Sequence, residues 1–283
     1  MTPSPVRTII AKEVRDSFKS VWLIIFTGVY FLVIIGVPYI VQGVLAPVGG
    51  EFANLPSRFT VTIVDSIPVV PLVPLMLGAL TIVGEREKGT MEHVLTLPVG
   101  KFEVYIGKFL GLSIASSIAV IAGFGLAALA AASQGGFGFD PGRYAVLIGL
   151  MISLTFIFSA LGVLLSSLSR NKAFAVGICL FLYFWLAILY DPGLLVFSAI
   201  IFSGSAALFP LLATLANPID VIRIMAVMSS QRAINMDAMG PTGANMIHLY
   251  GNAQAFDILA VTAALWFIIP FVLAATIFTR QDT

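Results

Sequence analysis

The amino-acid sequence predicts an all-α, polytopic membrane protein that occupies residues 1–283 as one domain, and three observations lead there. First, 59% of the residues are hydrophobic and only 10% charged, about half or less of the charged share of an ordinary soluble domain. Second, the charges leave seven uncharged windows, 20–50, 66–84, 109–139, 144–169, 173–190, 192–219 and 258–279. Each is near or above the ~18–20 residues that cross a hydrocarbon core as a helix. Third, the windows are continuously apolar, whereas strands of a membrane barrel would show ~10-residue segments of alternating polarity.

Residues 5–20 predict an amphipathic helix, because Ile10, Val14 and Phe18 recur every fourth residue with Lys12, Glu13, Arg15, Asp16 and Lys19 between them. Such a helix lies in the membrane surface. The run from Val21 to Val41 exceeds the ~7–15-residue core of a signal peptide, and Pro47 directly follows the cleavage-like Val44-Leu45-Ala46. It is therefore read as an uncleaved first span. Six spans are expected, at about 21–42, 62–83, 104–132, 144–167, 173–200 and 256–279. Window 192–219 would be a seventh, but Gly193, Gly204 and Pro210 with Ser198, Ser203 and Ser205 suit a broken or re-entrant segment shielded by protein. Residues 203–255 are thus expected to form an extracytoplasmic segment.

Cytoplasmic loops carry the excess of lysine and arginine. With the N-terminus inside, six spans place Arg7, Lys12, Arg15, Lys19, Arg86, Lys88, Lys101, Lys108, Arg170, Lys172 and Arg280 on the inner side. Arg58, Arg143, Arg223 and Arg232 are left outside, so both termini are expected in the cytoplasm. A seventh span would give a split no worse, and charge alone does not decide between the two. The net charge of +1 gives no reason to expect a nucleic-acid partner. The single cysteine, Cys179, excludes an intrachain disulfide and any zinc or iron–sulfur site built on cysteines, and reads as a core residue.

The inner loop over 84–100 is the most informative stretch. Gly89 breaks the incoming helix, Thr90 can cap the next, Glu92 suits its positive end, and Pro98 disfavours helix at Leu97. A helix of about two turns results, presenting Met91, Val94 and Leu95 on one side as a docking element. The plainer alternative is that Glu85, Arg86, Glu87 and Lys88 form a solvated hinge. No nucleotide site accompanies the loop: Gly84 and Gly89 have the spacing of a phosphate-binding loop, but Thr90-Met91 follows instead of Lys-Ser/Thr, and Gly107-Lys108 lacks both partners.

The outer segment is the second candidate. Asn217 can cap a helix with Pro218 at its first position and Asp220 in its first turn. Met225, Met228, Met236, Met239 and Met246 place five of nine methionines within 22 residues, with His248 beside them. Thioether and imidazole suit Cu(I), so Met225, Met228, Met236, Met239 and His248 form a candidate transient copper contact. The alternative is that these methionines fill gaps in an irregular cap, and no ligand spacing favours the metal. The span centres carry almost no charge, which argues against an ion-coupled carrier. No Ser–His or paired-carboxylate arrangement lies at span depth, and His93 and His248 fall on opposite sides, which argues against an intramembrane enzyme.

The run Gly84-Glu85-Arg86-Glu87-Lys88-Gly89-Thr90-Met91-Glu92, with Leu95-Thr96-Leu97-Pro98-Val99 and Gly107-Lys108, resembles the loop that marks permeases of type-2 ABC exporters. Ala11-Lys12-Glu13-Val14-Arg15-Asp16 resembles that family's N-terminal interface helix. The resemblance implies ATPase coupling through Glu85, Arg86, Glu87, Lys88, Gly89, Thr90, Met91, Glu92, Val94, Leu95 and Pro98, and an interface helix with Lys12, Glu13, Arg15 and Asp16. Ile82-Val83, Gly107-Lys108-Phe109 and Asn217-Pro218-Ile219-Asp220 with Arg223 are similar to the branch that serves nitrous oxide reductase maturation, a likeness that spans essentially the whole chain. This branch implies a homodimer, two copies of a separate ATPase that hold ATP and Mg, and a periplasmic accessory protein involved in copper-site assembly. A generic exporter of lipid, drug or peptide and an ATP-independent membrane scaffold are the alternatives, and the substrate stays open among copper, a sulfur species, a lipid, a peptide or a purely conformational push.

Overall fold

An apolar chain with no water around it must satisfy its backbone internally, and helices do so within one segment. The computed structural model describes residues 5–20, 23–25, 27–33, 36, 64, 66–89, 99–133, 141–201, 208–229 and 240–280, and among these every regular element is helical. Helix α1 covers Pro5–Phe18 and is followed, across a 69° bend, by the helical stretch Leu23–Val33. A 3₁₀ turn at Ile67–Val69 leads into α2 (Leu72–Thr81) and α3 (Val83–Glu87), which together make a span of 21 residues, Ile67–Glu87. Then come α4 (Lys101–Ser133), α5 (Pro141–Leu168) and α6 (Lys172–Phe184). A π-helical turn, Trp185–Leu189, joins α6 to α7 (Tyr190–Ile201). Two short helices, α8 (Leu208–Leu215) and α9 (Pro218–Ser229), precede α10 (Gly240–Arg280), which is kinked at Gly251, where φ is 73°.

Among the described residues five helices are long and apolar enough to cross a membrane, and α1 with Leu23–Val33 makes a sixth if the bent pair is one span. The protein is thus an all-α polytopic membrane protein. Between Ile201 and Gly240 no described helix reaches spanning length, since α8 has 8 residues and α9 has 12. The described residues of window 192–219 belong to α7, α8 and the start of α9, with Gly193 inside α7 and Pro210 in the first turn of α8, while Ser203, Gly204 and Ser205 lie outside the described residues. Half of the expected first span and the outer loop after it, with Asp65, lie outside the described residues.

The bundle is built around α5, which packs against α2, α4, α9 and α10. Where α2 and α5 cross, both present glycine. A Cβ at Gly162 would lie 2.6 Å from the Leu75 carbonyl oxygen, and one at Gly78 would lie 3.0 Å from the Cα of Gly162. Small residues permit this approach, and dispersion from the close backbones then replaces the hydrophobic drive that lipid cannot supply. Lower in the bundle an aromatic cluster joins spans three, four and six, with Phe109 meeting Phe271 edge-on at 4.9 Å between centroids and Phe156 at 6.0 Å. The Tyr105 hydroxyl donates to the Phe271 carbonyl at 2.8 Å, so its polar tip is satisfied inside the cluster.

Gly162→Ala is expected to destabilise the protein by roughly 1–3 kcal/mol through overpacking. Gly149→Ala, in the same helix where a side chain meets nothing within 4 Å, should leave stability unchanged or raise it. Thermal unfolding of both variants in detergent makes the comparison.

Candidate functional site

The site begins with a track of small residues along α4. Gly107, Gly111, Ala115, Ala119, Gly123 and Ala127 recur every fourth position and so share one helix face. A Cβ at Gly107 would lie 2.6 Å from Ile9 Cγ2, one at Gly111 would lie 2.5 Å from Glu13 Cβ, and one at Gly123 would lie 2.8 Å from Tyr30 Cβ. Leu23 packs on Ala115 and Ala119 between them. The track therefore seats α1 and the start of span one directly against the backbone of span three. Ile9 and Glu13 meet these glycines through their side chains, the Val6 and Ile10 carbonyls lie behind them, and Phe18 at the end of α1 is 40% exposed.

Lys108 follows Gly107 and is carried into the same contact. Its side chain is 3% exposed, and its ammonium lies 3.0 Å from Glu13 Oε1 and 2.6 Å from Glu85 Oε1. Lys12 adds a second cation 3.6 Å from Glu85 Oε1. An unpaired ammonium at that depth would cost several kcal/mol, so the two carboxylates are what make the position tenable. The cluster joins three elements, α1, α3 and α4, that are up to 95 residues apart in sequence. Arg15 and Asp16 are exposed on α1, outside the cluster.

Glu87, two residues beyond Glu85, turns to the other side of α3. One of its oxygens accepts from the Lys172 amide at 2.6 Å and the other lies 3.1 Å from the Lys172 ammonium. A carboxylate there meets the positive end of α6, which Asn171 also caps by accepting from the Phe174 amide at 2.8 Å. Arg86 donates to the Ser169 carbonyl at 3.5 Å, and the Ser166 hydroxyl accepts from the Ile82 and Val83 amides at 3.1 and 3.0 Å. Ser166 thus serves as a cap for α3 supplied from α5. After Glu87 the chain turns away through exposed Lys88 and Gly89, whose φ of 67° only glycine adopts without strain. Glu85, Arg86 and Glu87 are therefore each tied to another element, while Glu87 and Lys88 stay exposed. Thr90, Met91, Glu92, Val94, Leu95 and Pro98 lie outside the described residues.

The far end of the bundle holds the second set. Asn217 Oδ1 accepts from the Ile219 amide at 3.1 Å, which caps α9. Its amide group donates to the Leu186 carbonyl at 3.0 Å and to Asp220 at 2.9 Å. Arg223 bridges Asp220 and Asp191, at 2.9 Å from each. Burial pushes the Asp220 carboxyl upward from its ordinary range, Arg223 opposes that shift, and neighbouring Asp191 adds to it. Met225 and Met228 are buried in the apolar core. Met236 and Met239 lie outside the described residues, as does the side chain of His248, and among the described residues no His/Cys/Asp/Glu group forms a metal cluster. Cys179 is fully buried in the same core. Asp257 is exposed on α10, past the kink.

Sequence reasoning singled out Glu13, Glu85, Asn217, Asp220 and Arg223, but missed Lys108, Lys172, Ser166 and Asp191 as partners. The signal that was present is the small-residue track, which marks span three as the seat of another helix and Lys108 as flanking it.

A polytopic α-helical bundle with a basic end, an anchored charged loop and no ion pairs described in its middle has the build of a transporter's membrane subunit. The chain belongs to the ABC-2 family transporter proteins, which it matches over residues 7–283, and it is a permease subunit of an ABC transporter in the inner membrane. It is 32% identical over 228 residues, 78% of this chain and 80% of the relative, to the "Probable ABC transporter permease protein NosY" of Pseudomonas aeruginosa. It is 28% identical over 293 aligned positions, 98% of this chain and 99% of the relative, to the protein of the same name in Stutzerimonas stutzeri.

Lys108→Met is expected to lower stability by about 3 kcal/mol, because it leaves two partly buried carboxylates with only the half-exposed Lys12 as counter-charge. In a Glu13→Gln, Glu85→Gln background the same change should cost far less. Thermal unfolding of the wild type and these three variants, with limited proteolysis of α1 as a local readout, gives the coupling.

Proposed function

We propose that this permease converts ATP hydrolysis on a separate ATPase subunit into movement of its spans, with the loop 84–100 as the point where force enters. The observation that carries this reading is the buried Lys108 ammonium held jointly by Glu13 and Glu85. A push on the loop reaches α3, and α3 cannot move without taking span three and α1 along. Glu87 passes the same push to α6 through the Lys172 amide. The excess of Lys and Arg at this end supports a cytoplasmic placement, with both termini inside.

The complex we infer contains two copies of this chain and two ATPase subunits that hold ATP and Mg. Pairing is supported by spans five and six, only 17% and 22% buried against 61% for spans two, three and four, with Phe181, Phe184 and Trp185 exposed along span five. Likeness to proteins named NosY over most of the chain supports a role in nitrous oxide reductase copper-site maturation, with a periplasmic accessory protein at the far end. Spans without central charge favour mechanical work on that partner, or passage of an uncharged species, over ion transport.

The deciding measurement is co-purification with the ATPase. Glu87→Ala and deletion of residues 90–97 are each expected to abolish it while the membrane domain stays folded. Survival of the association in both variants would remove the loop from its coupling role. Reductase that acquires its full copper complement in cells lacking this chain would remove the maturation role alone.

A further inference from the structure

Span five is not one helix but two, separated by the π-turn at Trp185–Leu189. A π-turn carries an extra residue per turn, has poorer packing than an α-turn, and persists where something else holds it. Here the holders are visible. Asn217, 1% exposed, donates to the Leu186 carbonyl within the turn, and its second N–H goes to Asp220. Arg223 reaches across to Asp191, in the first turn of α7 just past the π-turn, while keeping Asp220 on its other side. Tyr190 donates to the Ala213 carbonyl of α8, and Trp266 donates to the Leu215 carbonyl at 3.0 Å.

These bonds divide span five between two bodies. Before the turn, α6 packs on α2, α3 and α5. Beyond it, α7 is tied to α8 and α9 through Tyr190, Asp191 and Arg223. We propose that the π-turn is a two-position latch, held in its wide setting by Asn217 and Arg223. Release lets the turn relax to an α-turn and resets everything beyond it by one residue. One residue of α-helix is about 100° of rotation and about 1.5 Å of rise. That rotation carries Asp191 off Arg223, so the wide and narrow settings are distinct rather than continuous. The latch needs no ATPase to exist, and its test is independent of the loop assignment.

The experiment is hydrogen exchange, followed by mass spectrometry, on the purified full chain in detergent. Arg223→Gln and Asn217→Ala should each speed exchange of amides 187–192 about tenfold or more, with amides 150–165 of α5 unchanged. Arg223→Lys should restore part of the protection. Deletion of Ile188 removes the extra residue and forces the narrow setting, and adding Arg223→Gln to that deletion should change nothing further. Unchanged exchange at 187–192 in Arg223→Gln overturns the latch. So does faster exchange throughout the chain, which would make the cluster a general stabiliser, or simple additivity of the deletion with Arg223→Gln.

Discussion

An ammonium buried among apolar helices has to bring its counter-charges with it, and Lys108 brings them from two distant parts of the chain. Glu13 arrives on α1 and Glu85 on α3, each within 3.0 Å. Because leaving Lys108 with only one partner would strand charge at low dielectric, the positions of α1, α3 and span three are fixed relative to one another. The glycines at 107 and 111 make this geometry possible, since any side chain there would hold α1 away from the cation. Steric permission and electrostatic need act at adjacent residues.

The two ends of the bundle solve the same problem with different chemistry. At the α1 end, charges of both signs meet on elements that come together only in three dimensions. At the far end, α8 ends inside protein and its loose carbonyls are taken up by Tyr190 and Trp266, while Asn217 takes up the Leu186 carbonyl of the π-turn. Non-spanning backbone survives beside a membrane only when its polar groups are met in this way. A glycine crossing and an aromatic cluster complete the bundle without placing charge in the membrane centre.

Much of this was legible in the residues. The apolar windows marked the long helices to within a few residues, Gly89 marked the end of α3, and Asn217-Pro218 marked the start of α9, because caps and breakers act over a single turn. The track at 107, 111, 115, 119, 123 and 127 is equally local, but residues with almost no side chain carry no charge or hydropathy contrast that names the helix they seat. The seat of α1 on span three was not legible, because Ile9 and Glu13 are selected by glycines and a lysine about 95 residues away.

By itself the sequence determined that this chain lives in a membrane, spans it as helices and presents a charged loop between spans two and three, because hydropathy and capping are properties of short contiguous stretches. Only the tertiary structure decided that Glu85 and Glu87, two residues apart, serve different partners, that Lys108 is the shared cation, and that Leu186 offers its carbonyl to Asn217. Those facts depend on pairing across as many as 95 residues and on a π-turn whose stability comes from another helix. No local pattern encodes a partner that is chosen by packing.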